Sequence, residues 1–401
     1  MNKTKTELLA PAGDFERLQM ALHYGADAVY LAGTQFGMRA AAGNFTFPEL
    51  REATRLAHAK GAAVHMTCNT LPREAELAQL PEFLEQAQDA GVDAFIIADL
   101  GVMSAAEKYA PKVSRHVSTQ LGVINSATAN VLYDMGADRV VLARETPMED
   151  IYKIRANTPK KLEIEAFVHG AMCVSFSGRC LLSNYLTGRD ANRGSCAQPC
   201  RWKYHLVEEK RPGEYFEISE DNGTHIMNSR DMCMIEHIPE LIDAGITSFK
   251  IEGRMKSAYY AAAVTNAYRH AIDYAVKGEA LPQVWVDELN KVSHRPYCTG
   301  FYYGDPGQHF AEASYFSDAH VCAVVESCDD DGFAELTQRN RFCIGDTVEL
   351  LTNEAEPIAF TVTELWDENG EPIQATPHAM MKFKIRLPVK CSALSILRRI
   401  K

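Results

Sequence analysis

Along the first 275 residues, short apolar runs alternate with longer stretches whose apolar residues recur every three or four positions. Four runs share one opening: Gly25-Ala-Asp-Ala-Val-Tyr-Leu31, Gly91-Val-Asp-Ala-Phe-Ile-Ile97, Gly136-Ala-Asp-Arg-Val-Val-Leu142 and Gly245-Ile-Thr-Ser-Phe-Lys-Ile251. A glycine just past a helix supplies the left-handed cap that other residues resist, so each run predicts a helix end followed by a strand. The strands are almost continuously apolar, the pattern of a parallel sheet covered by helices. Glu7–Ala10, Ala63–Thr67, Arg115–Thr119 and Leu162–Val168 bring the count to eight. The first helix shows the rule: Asp14 caps it, Leu18, Ala21 and Leu22 form its apolar stripe, and Gly25 ends it. Eight strands alternating with helices over this length predict a TIM-like (β/α)8 barrel, which typically takes ~250 residues. A doubly wound open sheet is the alternative. No G-x-G and no P-loop occurs, so neither a dinucleotide fingerprint nor a nucleotide-triphosphate cradle is present.

Residues 201–230 read as an insertion after the seventh strand, with short β pieces at Trp202–Leu206, Tyr215–Ser219 and Thr224–Met227. From about Ala311 the pattern turns to strands alone: Val321–Glu326, Phe333–Leu336, Thr347–Leu351, Ile358–Thr363 and Met381–Leu387. These predict a small all-β barrel. The expected organisation is a barrel over 1–305, with a Cys-rich segment at 165–235, and a β domain over 306–401, the break falling near Gly304-Asp-Pro-Gly307.

Composition changes this picture little. The chain is 46% hydrophobic and 23% charged, with a formal net charge of −12 that gives nucleic acid no global attraction. No run is apolar enough to span a membrane, and the first residues lack a secretory h-region, so a cytoplasmic protein is expected. In that reducing setting eleven cysteines do not form a disulfide framework.

Cysteine placement does change it. Cys173, Cys180, Cys196 and Cys200 fall within 28 residues, where an even spread of eleven over 401 gives about one. The intervals hold six, fifteen and three residues. Four soft thiolates suit an iron–sulfur cubane or structural zinc. Zinc knuckles use tighter pairs than this first one, whereas neighbouring Gly178, Gly188 and Gly194 leave room for sulfides and Arg179, Arg193 and Arg201 offset thiolate charge. Inert buried cysteines remain the bland reading.

A barrel of this kind carries its chemistry at the strand C-termini. Polar residues recur there, and Glu165, His169, Lys250 and Glu252 are candidate catalytic groups. Asn69, Asp99, Gln120, Arg144, Arg179 and Arg254 are candidates for binding substrate, the cations for an anionic group. Each residue alone also reads as an ordinary solvated loop residue.

The stretch Glu165-Ala-Phe-Val-His-Gly-Ala-Met-Cys173, continued by Gly178-Arg-Cys-Leu-Leu-Ser183, resembles the signature of peptidase family U32, the collagenase-like proteins. Gly194-Ser-Cys-Ala-Gln-Pro-Cys-Arg-Trp202, Lys250-Ile-Glu-Gly-Arg254, Leu8-Leu-Ala-Pro-Ala-Gly13 and Asp27-Ala-Val-Tyr30 resemble further blocks, so the likeness covers essentially the whole chain. It implies a 4Fe-4S cluster on Cys173, Cys180, Cys196 and Cys200, and oxygen-independent hydroxylation of RNA bases or a quinone precursor. For chains of this length with a C-terminal β domain it implies 5-hydroxylation of the wobble uridine of tRNA with prephenate as co-substrate. It further implies tRNA as partner and a second family member as a candidate partner subunit.

The last twenty residues hold seven cations and no acid, and Lys382-Phe-Lys-Ile-Arg386 alternates charge with apolarity. A solvated face and a phosphate-tracking face both fit. Two other functions stay open. One is a peptidase with Cys173 or Cys180 as nucleophile and His169 as base, which needs free thiols. The other is an iron–sulfur redox sensor or scaffold. H-E-x-x-H and G-x-S-x-G are both absent.

Overall fold

The computed structural model describes residues 6–38, 43–202, 206–207, 213, 215–216, 229–307 and 315–401. Seven parallel strands follow one another around the first sheet: β1 (Glu7–Pro11), β2 (Ala28–Ala32), β3 (Ala63–Cys68), β4 (Ala94–Ile97), β5 (Ser114–Val117), β6 (Arg139–Val141) and β7 (Glu163–Ala171). A hairpin of β8 (Leu206–Val207) and β9 (Tyr215–Phe216) lies in the insertion, and β10 (Asp231–Cys233) runs antiparallel along the end of β7. The eighth barrel strand, β11 (Ser248–Ile251), pairs in parallel with both β7 and β1, which closes the ring. β12 (Tyr297–Cys298) extends β10 outside it. The TIM-like barrel is therefore present and the open doubly wound sheet is not.

The helices form for the reasons legible in their ends. Asp14 accepts a hydrogen bond from the Arg17 amide at 2.9 Å and starts Phe15–His23. Thr46 and Glu49 form a reciprocal capping box at the head of Phe47–Ala59. Outward-facing strand residues such as Leu8, Val29, Val64, Phe95, Val140, Ile164 and Phe249 meet helix residues such as Leu18, Leu50, Leu84, Ile151 and Tyr268 in one continuous buried core.

A second, antiparallel sheet follows: β13 (Ala319–Cys328), β14 (Phe333–Gln338), β15 (Thr347–Leu351), β16 (Ile358–Thr361), β17 (Trp366–Asp367), β18 (Lys382–Arg386) and β19 (Ile396–Ile400). Its spatial order is β16-β15-β19-β13-β14-β18-β17, a half-barrel around Leu336, Phe342, Leu350, Phe383 and Leu397. Among the described residues no ladder joins β16 to β17. The alternation read in Lys382–Arg386 holds, with Phe383 and Ile385 buried. The expected β pieces at 217–219 and 224–227 lie outside the described residues, and Trp202 lies in a turn rather than a strand.

The two sheets are joined by a polar latch. Arg398 of β19, with no exposed surface, donates to Glu288 at 2.6 and 2.7 Å and to Glu349 at 2.7 and 3.0 Å. Lys291 reaches the same two acids, at 2.8 and 3.0 Å. The Tyr24 hydroxyl donates to the Leu351 carbonyl beside them. Among the described residues no helix is long and apolar enough to cross a membrane.

Candidate functional site

In a strand of period two, alternate residues face the barrel interior. Here the inward positions are strongly polar. Arg139 of β6 donates to Glu7 at 2.6 Å, Glu163 at 2.6 Å and Glu165 at 2.9 Å, and Lys250 of β11 donates to Glu165 at 2.8 Å. Ser248 adds a hydrogen bond to Glu7 at 2.7 Å. Burial pushes the Glu165 carboxyl up, but Lys250 and Arg139 outweigh it and hold the group below its usual range. Burial likewise opposes ionisation of Glu7, yet the Arg139 charge and hydrogen bonds from Arg139 and Ser248 bring it down to about 2. Both acids are therefore permanent anions matched to buried cations.

His65 and His116 stand beside this network, their rings edge to face at 4.8 Å. Burial holds both imidazoles neutral, and the Nδ1 atom of each is buried without a hydrogen-bond partner. With Glu165 they bring three ligand-type atoms within 4.8 Å. Lys250 and Arg139 already hold the Glu165 oxygens, so side chains supply the positive charge at this point. Neither histidine was singled out from sequence. The signal was available: in Ala63-Val-His65-Met-Thr67 the polar residues share one parity.

At the C-terminal mouth, Arg144 lies 3.8 Å over the ring of Phe167 and pairs with Glu252 at 3.4 Å. Arg254 is buried and donates to Thr67 at 3.2 Å. Glu165, Lys250, Arg144, Glu252 and Arg254 are thus brought together along the barrel axis and its rim. Asn69 and Asp99 sit apart in local roles: Asn69 accepts from the Met38 amide at 3.0 Å, and Asp99 caps Leu100–Tyr109 through the Val102 amide at 3.0 Å. Gln120 underlies the Cys-rich segment. A Cβ on Gly178 would stand 2.6 Å from its carbonyl oxygen, and Gly178 has φ +74°. Only glycine allows that approach.

The segment 173–202 lies across this mouth as loops, the helix Leu182–Thr187 and two short turns. Arg193 anchors it to Glu76 at 2.7 Å, Glu145 receives the Ser177 amide and hydroxyl at 2.9 Å each, and Ser183 accepts from the Ala197 amide at 2.9 Å. Its four cysteines are free thiols, Cys173 and Cys196 exposed, Cys180 and Cys200 half-buried. Burial pushes the Cys200 thiol up; Arg201 opposes, and Cys173, Cys196 and Cys180 are all near enough to push it further. One thiol therefore senses the other three. The Gln198 amide donates to the Cys196 sulfur at 3.4 Å. Arg179 is exposed on the same segment.

His169 is not paired with these thiols. It is buried among Tyr260, Tyr268 and Tyr297, with Nδ1 3.3 Å from the Tyr268 hydroxyl. Burial drives its pKa down to about 3 although Asp231 opposes this. No Cys–His dyad is formed among the described residues.

Between the Cys-rich segment and the barrel rim lies a cleft of about 280 Å³ lined by Gln198, Arg201, Glu252, Lys256, Ser293 and Tyr315, among others. Lys256 donates to the Ser293 carbonyl at 2.8 Å and lies 4.2 Å over the Tyr315 ring. Burial lowers its pKa to about 8. Arg201 reaches the Tyr315 hydroxyl at 2.9 Å. Lys256 carried no sequence signal beyond its nearness to Lys250–Arg254, and Tyr315 joins the site only through folding.

The family model for peptidase family U32 matches residues 13–312, and that for the peptidase family U32 C-terminal domain matches 317–398. The chain is 38% identical to "tRNA hydroxylation protein P1" of Bacillus subtilis, over 98% of this chain and 95% of that one. It is 34% identical to "tRNA hydroxylation protein P" of Escherichia coli, over 93% and 92%. It is 36% identical to the "Collagenase" of Porphyromonas gingivalis, over 76% and 75%. Matched from barrel to half-barrel and carrying the Cys-rich block across the barrel mouth, the chain belongs to peptidase family U32.

Proposed function

We propose that this protein is an RNA-modifying enzyme that hydroxylates C5 of a tRNA uridine, the wobble uridine, without molecular oxygen. The observation that supports the reading is that Cys173, Cys180 and Cys196 all lie near enough to Cys200 to push its thiol pKa up, in a chain aligned nearly end to end with proteins named for tRNA hydroxylation. We assign the four thiols to a 4Fe-4S cluster. Neighbouring Gly178, Gly188 and Gly194 leave room for sulfides, and the first pair of thiols is spaced more widely in sequence than a zinc knuckle. The Gln198 amide supplies the kind of N–H···S contact that tunes a cubane. A bound cluster would supply a one-electron redox centre.

The chain's own residues have definable tasks beside it. Arg201 and Lys256 give the cleft the positive charge that a dicarboxylate co-substrate such as prephenate needs, and Glu252 can orient Arg144 or accept a proton. Glu165 and Lys250 form a buried ion pair inside the barrel, below the rim. The neutral, enclosed His169 and the absence of a Cys–His pair among the described residues argue against the peptidase reading. A tRNA substrate places the protein in the cytoplasm.

Nucleoside mass spectrometry of tRNA from a strain lacking the gene tests this. The reading predicts loss of 5-hydroxyuridine derivatives, restored by the wild-type gene and not by a Cys196→Ser copy. An unchanged pool, with no second gene of the family present, contradicts it.

A further inference from the structure

From exposure and charge on the Cys-rich segment, we infer that its outer face is a base-stacking platform for single-stranded RNA, built on Tyr185, Leu181 and Trp202 and flanked by Arg179 and Arg189. The inference rests on the RNA-modifying reading and specifies where that RNA is gripped.

Exposed apolar side chains are concentrated here. Of twenty large hydrophobic residues exposed among the described residues, five (Phe176, Leu181, Tyr185, Leu186 and Trp202) lie in the thirty residues 173–202. Tyr185 at 85% and Leu181 at 70% are the most exposed of all twenty. An aromatic ring left that open on a short helix contributes nothing to the core, and exposed apolar side chains gathered in one segment are the kind of feature that marks an interaction surface. Local contacts brace the platform. Leu182–Thr187 packs on the turn Pro199–Arg201 that leads into Trp202, and Ser183 ties the two through the Ala197 amide. Arg189 is held by the Ser195 carbonyl at 3.0 Å.

Charge selects the occupant. The thirty residues contain Arg179, Arg189, Arg193 and Arg201 against Asp190 alone, a net of +3 in a chain of −12, and with Arg193 engaged by Glu76 the outer charge is carried by Arg179, Arg189 and Arg201. Aromatic rings interleaved with arginines are the general solution for unpaired nucleotides, because every base has a π-face and every phosphate a charge. In the other basic stretch four of seven cations face acids, while Lys384 and Arg386 donate to backbone carbonyls. Arg398 is buried on Glu288 and Glu349, Arg399 pairs with Asp346 at 3.2 Å, Lys390 with Asp330 at 2.5 Å, and Lys382 with Glu335 at 3.8 Å. The platform also adjoins the four cysteines, so a strand lying on it would present a neighbouring base to the barrel mouth.

Trp202 provides the readout. Of the three tryptophans, Trp285 is buried and stacked on His270, Trp366 is half-buried, and Trp202 is the exposed one. The full-length protein is titrated with a uridine-containing RNA stem–loop and with a blunt RNA duplex, following tryptophan emission and fluorescence anisotropy of labelled RNA. Stem–loop, not duplex, is expected to quench the component lost in Trp202→Phe. Tyr185→Ala is expected to weaken stem–loop binding by about tenfold or more, Tyr185→Phe to retain it. Arg179→Gln and Arg189→Gln are each expected to lower the salt slope by about one. Unchanged thermal midpoints will show the variants folded.

Tight stem–loop binding by the wild type, with Tyr185→Ala and Trp202→Phe unaffected and emission unmoved, overturns the platform and leaves the RNA-modifying reading standing. A wild type that binds no RNA overturns both. Quenching by an apolar peptide but not by RNA overturns it in favour of a protein partner.

Discussion

The latch at Arg398 offers the most quantitative test of how the half-barrel is held on the barrel. Replacing Arg398 with Met keeps most of the volume and removes the charge. Glu288, 1% exposed, is left with Lys291 alone, and Glu349 loses its shortest contact. Breaking a buried pair from one side costs about 3–5 kcal/mol, because an uncompensated charge stays behind. With an unfolding entropy near 2.1 cal/mol/K per residue, 401 residues give about 0.8 kcal/mol/K, so the midpoint should fall by roughly 4–6 °C. Differential scanning calorimetry reads this directly. The double variant Arg398→Met, Glu288→Gln removes the stranded charge and should recover at least about half of the loss. A shift below about 1 °C for the single variant, or a double variant no better than it, would refute the reasoning.

Other outcomes follow from the interior and the loops. Glu165→Gln leaves Arg139 and Lys250 facing each other with less compensation and should cost about 3 kcal/mol by urea unfolding; a loss under ~1 kcal/mol counts against an ionised Glu165. Stability should fall with acid in two stages. His169 is held at about 3, so the unfolded chain takes up a proton first as pH drops below about 6.5, and its contribution, complete above that value, declines towards pH 3. Glu7 is held at about 2, so its contribution is complete above the ordinary glutamate value and is lost between there and pH 2. In a pH series of thermal midpoints His169→Gln should make the first stage shallower without removing it, because buried His65 and His116 titrate on unfolding in the same range; an unaltered profile contradicts the burial argument. Gly178→Ala forces a Cβ onto the Gln120 backbone and should lower iron retention with little change in midpoint, and normal iron content would show the loop can yield.

The barrel was legible because each β/α unit repeats the same local physics, a left-handed glycine followed by an apolar run. Its polar interior was not, since a run such as Ala63–Thr67 puts His65 and Thr67 on one parity but only ring closure decides which parity faces inside. There His65 and Thr67 face in while Val64 and Met66 face the helices. β10 was missed because Asp231-Met-Cys233 is too short for a periodic signal and is fixed only by pairing with β7. β19 was hidden by its own charges. Arg398 read as part of a basic surface, and only the acids contributed by Glu288 and Glu349 make its burial possible. The cysteine quartet was visible through clustering alone, and the fold adds that Cys173, Cys180 and Cys196 act on the Cys200 thiol. Lys256 and Tyr315 stand far apart in sequence and meet only at the cleft, where no local pattern could place them.

The most direct test is elemental. Protein purified without oxygen should contain about four irons and four acid-labile sulfides per chain, with a reducible EPR-active centre, and Cys173→Ser or Cys196→Ser should abolish both while leaving the fold intact. Stoichiometric zinc without labile sulfide, or full iron content in those variants, would contradict the assignment of these four thiols to one cluster.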